Sequence, residues 1–275
     1  MLAAATIHAN DRAVEVTFAS RAAQPGELVV VTIVASGEPN AKATTHLKAF
    51  GHDVRPFAAG DRQWQALVGI DLDVKPGTYP VVAWVDDLTT TRNLVVVAKT
   101  FRTRRLTVNP DFVTPPESEA ARIAEEAKLL ERTWASSAAE RLWTAFSAPV
   151  PQSTNSAFGT RSIFNGTPRN AHGGADFLSP AGTPIAAPSA GRIAVARNLY
   201  FSGNTVIIDH GLGMFSMLAH LSAIDVHEGQ VVAAQQPLGL VGATGRVTGP
   251  HLHWAVRVNG ARVDPLSVLA LLGSP

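Results

Sequence analysis

The sequence predicts a mainly β chain, with an N-terminal β-sandwich, a helical connector and a second β domain. Three observations predict it. Short β-branched segments recur between Pro-Gly turns up to about residue 108, a single apolar stripe at helical spacing follows, and after Pro149 the strand pattern returns with many glycines. With 275 residues the chain is long enough for two domains of ordinary size. Its 46% hydrophobic and 16% charged residues are those of a globular protein. A net charge of +1 gives no electrostatic support for nucleic-acid binding. The absence of cysteine excludes disulfides, thiol catalysis and cysteine-bound metal. No apolar run approaches the length of a membrane span.

In residues 1–108, the strands are expected at Val14–Phe18, Glu27–Val34, Ala66–Leu72, Thr78–Val85, Leu94–Ala98 and Arg102–Val108, with turns at Pro25-Gly26 and Pro76-Gly77. Short strands at this spacing suggest an immunoglobulin-like sandwich. His8, His46 and His52 read as surface residues, and Arg102, Arg104 and Arg105 as a solvated strand edge. Met1–Ala5 is too short, and lacks the charged start, for a secretion signal.

Residues 109–148 read as the connector. Thr114-Pro115-Pro116-Glu117 has the form of a helix start, with a threonine cap, a first-turn proline and a capping-box glutamate. Ile123, Ala127, Leu130 and Trp134 then recur on one helical face, and a further helical turn is expected over Ala138–Trp143. Trp134 and Trp143 read as packing residues. Residues 149–275 are expected to carry their own core, with an edge-like strand near Gly182–Pro188 and further strands at Ile193–Ala196, Thr205–Asp209, Met214–Ala219 and Leu238–Val241. A short helix over Leu266–Leu272 closes the set after Pro265.

The chemistry concentrates in Gly249-Pro250-His251-Leu252-His253-Trp254. On a strand, His251, His253 and Ala255 share one face, while Leu252, Trp254, Val256 and Val258 form a buried row on the other. Asn259-Gly260 then supplies a tight hairpin turn into Ala261–Val263. Imidazole is a common zinc ligand, and a catalytic zinc takes three protein ligands and keeps one open position. Upstream, His172-Gly173-Gly174-Ala175-Asp176 offers an imidazole and a carboxylate that can join one of the later histidines. A further histidine, in Ala219-His220-Leu221, ends an apolar strand. His210 and His227 stand beside glycine-containing turns and are not expected at the metal; loss of His210 is expected to matter little. Asp209 and Asp264 suit turn or capping roles.

In this order, His172-x-x-x-Asp176, Ala219-His220-Leu221, and Gly242-Ala243-Thr244-Gly245 leading into Gly249-Pro250-His251-Leu252-His253 closely resemble the lysostaphin/LytM-type zinc metallopeptidases, which are peptidoglycan hydrolases. The resemblance runs from about Ser153 to Pro265. It implies a small antiparallel sheet with a zinc cleft across one face, Zn2+ held by His172, Asp176 and His253, and His220 and His251 as the non-ligand, catalytic histidines. Phe158-Gly159-Thr160-Arg161 resembles the family's opening segment, so Arg161 is expected to touch substrate. Leu218 stands where many members have an aromatic residue. Neither Tyr79 nor Tyr200 occupies the place of the tyrosine some members use, which leaves that role unassigned. The sequence has no glutamate close to the ligands, so a histidine must move the proton.

The expected activity is hydrolysis of peptide bonds in cell-wall crosslinks. Arg246, beside the cleft, could pair with the free carboxylates of stem peptides, which favours a D,D-endopeptidase over a glycine-bridge enzyme. A non-catalytic activator of other wall hydrolases is the remaining alternative, disfavoured by the complete residue set. Peptidoglycan is the expected partner, together with a possible regulatory protein bound through the N-terminal domain. The expected location is periplasmic or extracellular, the chain being read as the mature part of an exported precursor.

Overall fold

A computed structural model describes residues 12–37, 43–107, 114–155 and 158–273. The N-terminal segment Met1–Ala5 and His8 lie outside the described residues. The chain divides into two compact units: 1–19, 29–68 and 77–95 belong to the first, and 20–28, 69–76 and 96–275 to the second.

The first unit is built on eight strands: β1 (Val14–Ala19), β2 (Leu28–Ala35), β3 (Thr45–Ala49), β4 (His52–Val54), β5 (Phe57–Gly60), β6 (Gln63–Gly69), β7 (Gly77–Val85) and β8 (Leu88–Val96). They form two four-stranded sheets, ordered β1-β2-β6-β5 and β4-β3-β7-β8. This is the strand order of an immunoglobulin-like sandwich. The sequence pattern does not announce β3 to β5. They are short, and buried Leu47, Ala49 and Val54 alternate with exposed His46, Lys48, His52 and Asp53, so their apolar content is low.

In the second unit, β9 (Thr103–Leu106) is not a further strand of the sandwich. It pairs in parallel with β10 (Arg161–Phe164), which in turn pairs with β11 (Thr167–Pro168). β9 is the edge of this three-stranded sheet and Arg102, Arg104 and Arg105 are exposed along it, while Arg104 Nε donates to Ser162 Oγ at 2.9 Å.

Helix α1 (Ala120–Ala135) follows a one-turn 3-10 segment at Glu117–Glu119. No side chain caps either start. The expected capping box does not form, because the 3-10 turn occupies the residues that Thr114 would have capped. Leu130 and Trp134 pack on Val195, Ile207 and Phe215, with the Trp134 ring edge-on to Phe215 at 5.4 Å. The expected helical turn at 138–143 is absent. There the backbone follows the 209–212 segment instead: Ala138 N–H donates to Asp209 Oδ2 and Leu142 N–H to the His210 carbonyl.

The remaining strands are β12 (Gly174–Phe177), β13 (Pro184–Ala186), β14 (Gly191–Leu199), β15 (Gly203–Gly211), β16 (Met214–Ile224), β17 (Val231–Val232), β18 (Pro237–Val241), β19 (Leu252–Val258) and β20 (Ala261–Val263), followed by α2 (Pro265–Leu272). They form one nine-stranded antiparallel sheet with the path β12-β19-β16-β15-β14-β17, with β18 joining β16 and β20 joining β19. Asn259 and Gly260 both adopt positive φ (49° and 83°), which is what a two-residue turn between twisted strands requires. Asp264 caps α2 by accepting from Leu266 N–H at 3.0 Å.

The sheet has two unlike faces. Leu252, Trp254, Val256 and Val258 of β19 are all buried, as the alternation predicts, and Trp254 lies opposite Leu218 of β16. Under this face runs a closed polar chain: Trp254 Nε1–H donates to Ser216 Oγ (3.1 Å), the Ser216 hydroxyl lies 2.9 Å from His210 Nε2, and His210 Nδ1–H donates to the Ala190 carbonyl (2.7 Å). His210 is thus fully buried rather than a dispensable turn residue, and burial pushes its pKa down to about 4, so it is neutral at pH 7. His210→Ala leaves the Ser216 hydroxyl and the Ala190 carbonyl without this partner and is expected to lower stability by roughly 2–4 kcal/mol. Urea unfolding measures this; a midpoint equal to wild type would contradict it.

Candidate metal centre and active site

The other face carries the histidines. Antiparallel pairing sets Asp176 of β12 opposite His253 of β19, and His253 opposite Ala219 of β16. Directly paired residues project to the same side of a sheet, so the register alone brings carboxylate and imidazole together. His253 Nδ1 lies 2.9 Å from Asp176 Oδ1. His172 precedes β12, and its backbone is held by the opening segment: its N–H donates to the Thr160 carbonyl and its carbonyl accepts from Gly159 N–H. This places His172 Nε2 3.1 Å from the same Asp176 oxygen, with the His172 and His253 rings 4.7 Å apart.

One ligand atom from each of His172, Asp176 and His253 lies within 4.8 Å of the others, and all three side chains are partly buried. Burial raises the Asp176 pKa, but hydrogen bonds from His172 and His253 outweigh it and hold the carboxyl well below the usual carboxylate range. Burial lowers the pKa of His253. Two imidazoles aim a ring nitrogen at one ionised oxygen, while the other nitrogen of His172 is buried without a hydrogen-bond partner. Three convergent lone-pair donors of the nitrogen and oxygen type suit a divalent ion of zinc's character.

Placing His220 on this face requires a break in the alternation. Ala219 already faces His253, so an uninterrupted strand would send His220 to the opposite side. Instead β16 changes partner here. It pairs with β19 as far as Ala219 and with β18 from Leu221 onward, and His220 takes φ 70° at the fork. The irregularity re-aims its ring into the cluster, 4.9 Å from His251 and 6.0 Å from His253. His251 enters from the opposite arm of the fork, bridged to Gly242 just beyond β18.

Both extra histidines are held the same way. His220 Nδ1–H donates to the Thr244 carbonyl at 3.0 Å, and His251 Nδ1–H to the Gly249 carbonyl at 2.9 Å. A carbonyl can only accept, so each Nδ1 bears a proton, and in the neutral imidazole Nε2 then carries the lone pair. His251 Nε2 lies 3.8 Å from Asp176 Oδ1. Burial pushes the His220 pKa down to about 4. The Thr244 hydroxyl in turn accepts from Asn204 N–H (2.9 Å) and donates to the Leu221 carbonyl (2.7 Å), tying the loop that holds His220 to the strands on either side.

Of the two arginines expected at substrate, Arg161 is exposed at the start of β10, its N–H on the Arg102 carbonyl. Arg246 is half-buried in the 243–250 loop, with its guanidinium 4.5 Å from the centre of the Phe201 ring. His227 is exposed, and Asp209 and Asp264 act in a turn and a cap. Tyr200 stacks edge-on to Phe201. Gly174 and Thr244 carry no distinct signal in the sequence. Gly174 lies between His172 and Asp176 and Thr244 in the glycine-rich stretch before His251, neither with a metal-binding group of its own.

Residues 170–265 match Peptidase family M23. A crystal structure from Pseudomonas aeruginosa assigned to peptidase M23 is 33% identical with a TM-score of 0.71, and the match covers 90% of this chain and 95% of that one. Peptidoglycan DD-endopeptidase ShyA of Vibrio cholerae is 44% identical over 95 residues, which is 34% of this chain. DD-carboxypeptidase/endopeptidase Mpg of Neisseria meningitidis is 44% identical over 97 residues, 35% of this chain. The matched stretch spans only 22% of the length of either of these two relatives.

Proposed function

The chain belongs to peptidase family M23, and from that premise we propose that it is a zinc-dependent endopeptidase that opens stem-peptide crosslinks in peptidoglycan. The observation that carries the proposal is the convergence of His172, Asp176 and His253 with two further imidazoles, each anchored through Nδ1 to a backbone carbonyl. His172, Asp176 and His253 would hold Zn2+. When bound, Zn2+ lowers the pKa of a water to about 7 and polarises a carbonyl.

The chain's own residues do the rest. His251 or His220 receives at Nε2 the proton of the attacking water, since neither is committed to a metal. The imidazolium so formed donates to the developing oxyanion and then passes the proton to the leaving amine. The carbonyls of Thr244 and Gly249 stabilise that charge by accepting from the opposite ring nitrogen. Arg161 and Arg246 are the proposed substrate-binding residues. The names of ShyA and Mpg support the D,D-endopeptidase reading over glycine-bridge cleavage. Such an enzyme works in the periplasm or outside the cell, and the N-terminal sandwich is the candidate surface for a regulatory protein.

The test has two arms. Purified protein is expected to contain stoichiometric zinc, lost in Asp176→Ala and His253→Ala and reversibly on chelation. It is also expected to release monomers from crosslinked dimer muropeptides, identified by mass, and to leave pentaglycine intact. Full zinc occupancy in either variant would reject the ligand set, and cleavage of pentaglycine alone would reject the substrate.

A further inference from the structure

His172 is the only proposed ligand that does not sit on a strand, since Asp176 belongs to β12 and His253 to β19. Its ring also lacks the kind of anchor that the two non-ligand histidines have. His220 and His251 are each fixed through Nδ1 to a backbone carbonyl, whereas among the described residues His172 Nδ1 is buried without a hydrogen-bond partner. Its Nε2 faces Asp176, itself a proposed ligand, at 3.1 Å. The aim of the ring therefore depends on the His172 backbone. That backbone is bracketed by the opening segment, through Gly159 N–H at 2.8 Å and the Thr160 carbonyl at 2.9 Å.

The opening segment is held in turn by the residues just before β9. Gly159 is buried and takes φ 76°, a conformation that disfavours an L side chain. A Cβ there would run into Cδ1 and Cε1 of Phe101, so the ring lies directly against the Gly159 backbone. The Lys99 ammonium stands over the same ring, 5.4 Å from its centroid, and is tied to the buried carboxylate of Glu27 at 3.0 Å. On the far side of Thr160, Arg161 N–H donates to the Arg102 carbonyl at 2.8 Å, and the parallel pairing of β9 with β10 continues from there. Phe101 and Arg102 thus fix the two residues that flank Thr160. Without the ring, a gap opens against a glycine, whose backbone is the freest to shift.

We propose that Phe101 is a positioning residue of the metal centre: it seats Gly159, and through the Gly159–Thr160 backbone it aims His172. This rests on the zinc-peptidase reading above and deepens it, by adding a determinant of metal affinity from outside residues 170–265, the stretch that matches the family. Phe101 acts through a ligand, not on the substrate.

Zinc affinity of the full-length protein tests this without turnover. Metal-free protein is titrated with Zn2+ against a chromophoric competing chelator, and a urea transition shows that each variant is folded. Phe101→Ala is expected to bind zinc about 10- to 100-fold more weakly than wild type, the scale on which residues that orient metal ligands act. Phe101→Tyr, which keeps the ring, is expected to recover the wild-type affinity. His210→Ala is the comparison: it lowers stability from the opposite face of the sheet, yet its zinc affinity is expected to equal that of wild type. Should Phe101→Ala not fold, Phe101→Leu poses the same question with a smaller expected loss. Wild-type zinc affinity in whichever truncation folds, or an equal loss in His210→Ala, would overturn the positioning role. A wild-type protein that binds no zinc would reject the zinc reading itself, and this inference with it.

Discussion

Gly174→Ala is expected to empty the metal centre and abolish hydrolysis, whereas Gly173→Ala leaves both near the wild-type level. The two glycines are adjacent in the sequence but unlike in their surroundings. A Cβ on Gly174 would lie 2.5 Å from the Trp254 carbonyl oxygen and 2.7 Å from Cε1 and Nε2 of His253. The first obstacle is backbone of the strand with which β12 pairs, and the second is the ring of a proposed ligand. Relief of either contact moves Asp176 and His253 apart. A Cβ on Gly173 would meet only Arg262 Cδ, at 4.0 Å. Misplacement by about an ångström costs on the order of 10²-fold in rate, so turnover of Gly174→Ala falls at least that far even if some metal is retained. Zinc analysis and dimer hydrolysis on both variants check this. A Gly174→Ala protein with wild-type zinc and rate would show that the close approach is not needed.

The second large effect concerns the two histidines proposed to move protons rather than hold metal. His251→Ala and His220→Ala are each expected to keep zinc and the folded state while losing about 10²–10⁴ in turnover, the usual contribution of general acid–base groups. Both Nδ1 atoms are committed to backbone carbonyls, so only Nε2 can act on substrate. Neither ring is needed to assemble the ligand triad, because strand register and the His172 backbone contacts do that. A near-normal rate in His251→Ala would remove it from the proton path. Loss of zinc in either variant would instead make that histidine a ligand.

Much of this site is legible in the amino-acid sequence. The alternation around His251 and His253 foretells which side chains of β19 are buried and which face the cleft, because a strand has only two sides. The Asn259-Gly260 hairpin and the helix after Pro265 are equally local, since each depends on backbone preferences of a few neighbouring residues. The position of His220 is not. Read as a regular strand, Met214–Ala219-His220 puts the imidazole on the wrong face, and only the change of pairing partner from β19 to β18 reverses it. His210 departs from its sequence reading for a related reason. Its flanking glycine looks like a surface turn, yet Ser216 and Ala190 enclose the ring in the interior.

By itself the sequence determined the mainly β class, the connector helix, the family resemblance and the identity of the five clustered polar residues. All of these reside in periodicity, turn chemistry or short ordered motifs. The tertiary structure alone decided that β9 leaves the sandwich to pair with β10, that Trp134 of the connector packs on Phe215, and that Gly174 rather than Gly173 must lack a side chain. These features arise from contacts between residues far apart in the chain, where the partner sets the outcome and no local pattern carries its address.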